Sequence, residues 1–144
     1  MPQEHQEMLV QHLRQAYHSA VQAELDAAGL HEVGHPLLLC ILRGAAQDQG
    51  LTQRELAQRL EVSPAAVTTS LKSLEKRGYI HREPEPGDAR RNRVRLTDEG
   101  RQAVETCTAC FQRVNDRLVR GLSEEEKEQI RCLFRKMLDN LRNP

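Results

Sequence analysis

Four arginines lie within six positions of the chain, in the segment DARRNRVRLTDEG at 88–100. They are Arg90, Arg91, Arg93 and Arg95. Guanidinium groups form paired hydrogen bonds with phosphate oxygens, and they also enter narrow, electronegative minor grooves of DNA. A solvated charged hairpin is the simpler alternative. In a chain of formal net charge zero, however, such a dense cluster indicates a polyanion-binding surface.

Charge is distributed unevenly along the 144 residues. Residues 1–50 carry two basic and six acidic side chains, whereas residues 63–95 carry eight basic and four acidic ones. A basic segment of this kind is the electrostatic footprint expected of a polyanion-binding protein. The longest apolar run, residues 36–42, is too short to span a bilayer, and residues 1–20 lack the pattern of a signal peptide. We therefore expect a cytoplasmic protein without a membrane partner.

Cysteines and histidines are the other candidates for chemistry. Cys107 and Cys110 lie one helical turn apart, a spacing compatible with redox sensing or metal binding. A structural zinc site needs four ligands, which His31 and His35 would have to complete, so two buried thiols are the simpler interpretation. The sequence has no Gly-rich phosphate loop, HExxH motif or nucleophile elbow. We predict no enzyme activity, cofactor or metal site.

A helix-turn-helix is predicted before the arginines. Thr52 with Glu55 begins a short helix, and Ser63-Pro64 begins a second one that ends near Gly78. The second helix presents an outward face of small polar and basic side chains, suited to a DNA groove. That face comprises Ala65, Thr68, Thr69, Lys72, Ser73 and Lys76.

A β-hairpin is predicted to carry the arginines. Residues 79–83 and 92–96 alternate as strands, with the turn-rich sequence PEPGDAR between them. The alternation buries Val94 and Leu96 and places Arg93 and Arg95 on the solvent side. This hairpin is called the wing below.

Long helices flank these elements. The sequence predicts helices over 4–28, from Pro36 through PLLLCILRGAAQ, from Thr97 to about Arg120, and from Ser123 to the end. The last helix carries an apolar stripe that requires a partner surface; we call it the C-terminal stripe, and it comprises Ile130, Leu133, Phe134, Met137, Leu138 and Leu141. The first helix has a similar stripe, so we expect the two ends of the chain to meet. The predicted fold is mainly α with a small β-wing (α+β), a winged helix-turn-helix.

With LTQRELAQRLEVSPAAVTTSLKSLEKRGYI at 51–80 and DARRNRVRLTDEG at 88–100, the chain resembles the MarR family of bacterial winged-helix transcription regulators. The wing pattern of that family is matched by Asp88, Arg90, Val94, Leu96, Thr97 and Gly100. The resemblance implies a homodimer, held by its N- and C-terminal helices, on a pseudo-palindromic operator in double-stranded DNA.

The resemblance also implies roles for individual residues. It places Ser63, Ala65, Thr68, Thr69 and Lys72 on the recognition helix, Arg90 and Arg91 at the wing tip, and Asp88 beside a wing arginine that it orients. Lys76 and Arg93 complete the predicted DNA-binding set. Many relatives have an arginine where this chain has Thr69 and Ser70. We therefore expect its preference to depend on thymine methyl groups and DNA shape rather than on guanine.

The predicted function is sequence-specific transcriptional regulation, with repression relieved by a small-molecule effector. From position along the chain, Tyr17, Leu38, Leu42, Cys107 and Phe111 are expected to line the effector pocket. The predicted parts are a dimerisation helix and linker (1–34), the DNA-binding domain (35–97) and C-terminal dimerisation helices (98–144). The alternatives are a MarR-like sensor of zinc or thiol oxidation, and a protein-interaction adaptor that does not bind DNA.

Overall fold

The computed structural model describes residues 6–30, 50–85 and 87–144, with residues 6, 7, 85 and 88–91 described by their backbone alone. The helices in these ranges are α1 Gln6–Ala27, α2 Gln53–Leu60, α3 Pro64–Lys76, α4 Asp98–Leu118 and α5 Glu124–Arg142, and the strands are β1 Leu51–Thr52, β2 Ile80–Glu85 and β3 Asp88–Leu96. The predicted helix after Pro36, with Leu38, Cys40 and Leu42, lies outside the described residues, as do His31 and His35.

Side-chain caps begin the helices where the sequence predicts. The Thr52 hydroxyl accepts a hydrogen bond from the Glu55 amide at 3.2 Å, and the Ser63 hydroxyl accepts one from Ala66 at 3.2 Å. Ser123 and Glu126 form the reciprocal capping box at the start of α5. Glu61, at φ 56°, ends α2 in the left-handed conformation and allows the tight turn into α3. The helix-turn-helix prediction is confirmed.

The sheet has three antiparallel strands in the order β1-β3-β2. The wing strands are longer than predicted, at 80–85 and 88–96, and they pair from Ile80↔Leu96 to the tip with an irregularity at Pro84/Glu85. On its other edge β3 pairs with β1 through Leu51↔Val94. The sequence did not reveal β1, because two residues are too few to show an alternating pattern.

In the described residues, one apolar core joins the winged unit to α1 and α4. Leu56, Leu71, Leu74 and Val94 have no exposed surface, and in the same cluster Leu25 of α1 is 1% exposed. Burial of such side chains contributes about 1.5–3 kcal/mol each. The core holds α3 and the wing in one orientation.

The expected meeting of the two ends of the chain is not among the main contacts of the described residues in one protomer, and it stays a prediction. In the described residues, α1 packs on α4 rather than on α5. The C-terminal stripe is not covered: Ile130 is half-buried, and the other five side chains are 40–84% exposed, namely Leu133, Phe134, Met137, Leu138 and Leu141. The stripe predicts that α5 needs a partner surface, but periodicity carries no information about which chain supplies it.

Candidate nucleic-acid interface

The exposed face of α3 brings together most of the predicted groove-contacting residues. Ser63, Ala65, Thr69, Lys72 and Lys76 are exposed, and Thr68 and Ser73 are half-buried. Opposite them, Val67, Leu71 and Leu74 are buried in the core as predicted, and Ser70 is buried too. Residues that recur every three or four positions share one face of a helix, so Ala65, Thr69, Lys72 and Lys76 form one continuous surface.

Two threonine hydroxyls on α3 are hydrogen-bonded within the helix. Thr68 donates to the Pro64 carbonyl at 3.0 Å, and Thr69 donates to the Ala65 carbonyl at 3.2 Å. The side-chain amide of Gln53, at the start of α2, donates to the Thr68 hydroxyl oxygen at 3.5 Å. Gln53 therefore borders the predicted DNA-contacting face of α3, which its sequence position alone did not reveal.

An ion pair connects the wing to α3. The Arg82 guanidinium on β2 contacts the Glu75 carboxylate of α3 at 2.5 Å, and Arg82 is only 23% exposed. The Tyr79 amide also donates to the Leu74 carbonyl at 3.0 Å, which closes the end of α3. The sequence did not predict the Arg82–Glu75 pair, because its geometry depends on the path of the chain between the end of α3 and the start of β2.

The predicted wing-tip residues lie on β3. The backbone of Asp88, Arg90 and Arg91 forms the part of β3 that follows the turn, where Asp88 pairs with Glu85. Their side chains lie outside the described part of the structure, so the phosphate contacts of Arg90 and Arg91 and the orienting role of Asp88 stay predictions. Arg93 is half-buried and lies opposite Glu83 in the strand register.

Arg95 is less exposed than the alternating pattern predicts. Its side chain is 36% exposed, and its Nε atom lies 3.5 Å from an oxygen of Glu83. The other oxygen of Glu83 lies 3.1 Å from Nε2 of His81. An acidic side chain therefore lies among the wing cations. Glu83 lies opposite Arg93 because of the pairing register of β2 and β3, which the sequence alone does not determine.

Cys107 and Cys110 are fully buried thiols. Arg113 approaches the Cys110 sulfur at 3.4 Å and the Glu24 carboxylate at 2.8 Å, joining α4 to α1. The hydrogen bond with Glu24 is the main cause that raises the pKa of Arg113. Within the described ranges, no group of three potential metal-ligating side chains occurs.

A groove of about 320 Å³ lies between α1 and α4. Tyr17 lines it, and its hydroxyl donates to the Asn115 side chain at 2.9 Å. Cys107 has no exposed surface and Phe111 is half-buried against the core, so neither lines this groove. Leu38 and Leu42 lie outside the described residues. The predicted effector pocket stays a prediction.

Comparison with known proteins identifies the family. A MarR family profile matches residues 35–91. The transcriptional regulator HosA of Escherichia coli O111:H- is 31% identical over 99 residues, which are 69% of this chain and 73% of HosA. The chain belongs to the MarR family.

Solved structures agree with the MarR assignment. Staphylococcus aureus MepR, in a complex with DNA, has a TM-score of 0.86 and 30% identity over 96% of this chain and 99% of MepR. A mutant MarR from E. coli, complexed with operator DNA, has a TM-score of 0.81 and 27% identity over 92% of each chain. YdgJ of Bacillus subtilis is 32% identical over 93 residues, which are 65% of this chain and 57% of YdgJ. The match therefore spans little more than half of that relative.

None of the described helices has the length and apolar character needed to cross a membrane.

The wing pattern that this chain shares with the MarR family has a structural basis at the base of the wing. Thr97 accepts a hydrogen bond from the Gly100 amide at 3.0 Å and donates to the Gly78 carbonyl at 2.5 Å. Gly100 is buried so tightly that a Cβ there would lie 1.9 Å from the Tyr79 carbonyl oxygen. Thr97 and Gly100 of the V-x-L-T-x-x-G run therefore hold the start of α4 against the end of α3 and the start of the wing.

Proposed function

We propose that this MarR-family chain is a sequence-specific DNA-binding transcriptional regulator. In this proposal α3 enters the major groove and the wing follows the adjacent phosphate backbone and minor groove. The observation that carries the proposal is the continuous exposed face of Ala65, Thr69, Lys72 and Lys76, joined through the Arg82–Glu75 ion pair to an arginine-bearing wing. The DNA-bound structures of MepR and MarR support this arrangement for chains of the same fold.

A homodimer on a pseudo-palindromic operator is part of the proposal. The exposed C-terminal stripe and the exposed Met8, Leu9 and Leu13 of α1 supply apolar surface that a second copy would cover. Two-fold symmetry would then place the recognition helices about 34 Å apart, one turn of DNA. If each protomer neutralised three or four phosphates, log affinity would fall against log salt with a slope of about −6.

Repression relieved by an effector completes the proposal. NicR of Pseudomonas putida, a relative named as a repressor, is 30% identical over 106 residues, which are 73% of this chain and 65% of NicR. An effector held beside Tyr17 on the α1–α4 side would favour a spacing of the two winged units that does not match the operator. Full burial of Cys107 and Cys110 disfavours the alternative of a rapidly oxidised thiol sensor.

Selection from a pool of random duplexes, followed by fluorescence anisotropy, tests the proposed function. We expect enrichment of a two-fold symmetric sequence that binds more tightly than a scrambled duplex and with a steep salt dependence. No enriched sequence, or equal binding to both duplexes, would contradict sequence-specific regulation. Because the pool includes all short sequences, the result does not depend on where the operator lies.

Matched variants test the assigned surfaces. Arg90→Ala with Arg91→Ala should weaken binding to every duplex, because phosphate contacts carry no sequence information. Thr68→Ala should mainly change sequence preference. The control is Arg135→Ala with Lys136→Ala, which removes the same charge from the face of α5 opposite the C-terminal stripe. Wild-type affinity of the double wing variant at physiological salt would refute the wing assignment.

A further inference from the structure

Glu83 is an acidic side chain on the face of the wing that carries Arg93, one of the predicted DNA-contacting residues. It lies on β2, directly opposite Arg93, and two residues after His81, which is itself opposite Arg95. Side chains two residues apart on a strand lie on the same face, so His81, Glu83, Arg93 and Arg95 belong to one face of the wing. Glu83 is 48% exposed on this face.

The two carboxylate oxygens of Glu83 contact different partners. Oε1 is 3.1 Å from Nε2 of His81, and Oε2 is 3.5 Å from Nε of Arg95. The Arg95 Nε atom is buried and has no hydrogen-bond partner in the described structure. Glu83 therefore provides electrostatic compensation for a guanidinium that is partly withdrawn from solvent.

The stem of Arg95 is also held in place. It packs over Gly50, where an added Cβ would lie 2.8 Å from the Arg95 Cγ atom. Packing at the stem and the Glu83 carboxylate at the head group together direct Arg95 across the sheet. A phosphate approaching this face would meet the carboxylate of Glu83 beside a guanidinium that is already engaged.

We propose that Glu83 is a counter-charge that limits the affinity of the wing for DNA by holding Arg95 away from the phosphates. The proposal deepens the proposed function and rests on it. A like charge near the DNA backbone lowers affinity, and an arginine paired with a carboxylate neutralises no phosphate, so it releases no counterion from the DNA. Glu83 would thus restrain the sequence-independent part of binding and leave base contacts by α3 unchanged.

Glu83→Gln tests the proposal, since it keeps the shape of the side chain and removes its charge. If Arg95 gains one phosphate contact, the slope of log affinity against log salt should steepen by about 0.9 per protomer. For each such contact, the ratio of the affinity at 0.1 M salt to the affinity at 1 M salt should be about eightfold larger than in the wild type. Operator and scrambled duplexes should gain by similar factors, because the added contact is to phosphate. Glu83→Ala should give the same steepening.

Two controls separate this effect from a change in overall charge. Glu125→Gln makes the same charge change in the first turn of α5, away from the wing, and should leave the slope unchanged. In an Arg95→Gln background, Glu83→Gln should no longer steepen the slope, because the guanidinium that would be released is missing. Thermal melts of all variants check that each is folded.

The outcomes are distinguishable. A slope for Glu83→Gln and Glu83→Ala equal to that of the wild type would overturn the proposal, as would equal steepening in Glu125→Gln or steepening that persists without Arg95. Wild-type protein that selects no sequence and binds every duplex weakly would instead refute the proposed function, and the role of Glu83 with it.

Discussion

Replacing Gly100 with alanine tests how closely α4 must approach the base of the wing. A Cβ at this position would lie 1.9 Å from the Tyr79 carbonyl oxygen and 2.9 Å from its carbon. Ordinary contacts between such heavy atoms are about 3.5 Å, so the backbone would have to move by more than about 1 Å. The same carbonyl oxygen accepts the Thr97 amide at 3.0 Å, and that movement would weaken this hydrogen bond.

The expected cost of Gly100→Ala follows from three contributions. Overpacking costs about 1–3 kcal/mol, and the upper part of this range applies because the obstructing atom belongs to the backbone. Weakening the Thr97 hydrogen bond adds about 1 kcal/mol. The better helix propensity of alanine returns up to about 1 kcal/mol. We expect a net loss of about 2–3 kcal/mol, or a Tm lower by about 7–10 °C for a chain of this size.

Urea and thermal denaturation at one fixed protein concentration measure this loss. Gly29→Ala is the matched control, because Gly29 has φ +80° and nothing within 4 Å of an added Cβ. That variant should lose only the left-handed backbone penalty of about 1–2 kcal/mol. If Gly100→Ala were as stable as the wild type, or lost less than Gly29→Ala, the proposed close approach of α4 to Tyr79 would be refuted.

Three further substitutions test separate contacts. Tyr17→Phe removes the hydroxyl that donates to Asn115 at 2.9 Å and should cost about 1 kcal/mol in urea denaturation; an unchanged midpoint would argue against that bond. Phe134→Asp places a charge in the C-terminal stripe and should weaken self-association at least about tenfold by analytical ultracentrifugation, whereas wild-type association would remove the stripe from the dimer interface. Hydrogen bonds from the Ser123 backbone lower the pKa of Glu126, so its stabilising contribution is present above the unfolded pKa and is lost as pH falls through the lower folded pKa. Melts from pH 5 to pH 3 should therefore show a smaller loss of stability for Glu126→Gln, and an identical acid dependence would contradict this.

Local chemistry explains which parts of the fold could be predicted from the sequence. Ser63 before Pro64 and Ser123 before Glu126 each satisfy backbone donors within a few residues, so they define helix starts without reference to the rest of the chain. The buried face of α3 followed from its periodicity for the same reason. Fold class and most helix bounds were therefore predictable from short-range patterns.

Contacts between distant segments could not be predicted in the same way. The Glu83–Arg95 and Glu75–Arg82 pairs depend on strand register and on the path of the chain after Gly78, which are set by tertiary packing. The partner of the C-terminal stripe depends on a second surface, and α1 proved to pack on α4. Strand β1 is visible only through its pairing with β3.

If α3 enters the major groove as proposed, the internal hydrogen bonds of Thr68 and Thr69 restrict which base edges it can contact. Both hydroxyl protons are donated to helix carbonyls, so each side chain offers lone pairs and a methyl group to a ligand. In the major groove, guanine presents only acceptors, whereas cytosine and adenine present amino donors and thymine presents a methyl group. In the proposed complex, α3 would therefore present two acceptor positions and, one turn further along, the donor of Lys72. This pattern would disfavour guanine opposite the threonines and permit it opposite the lysine.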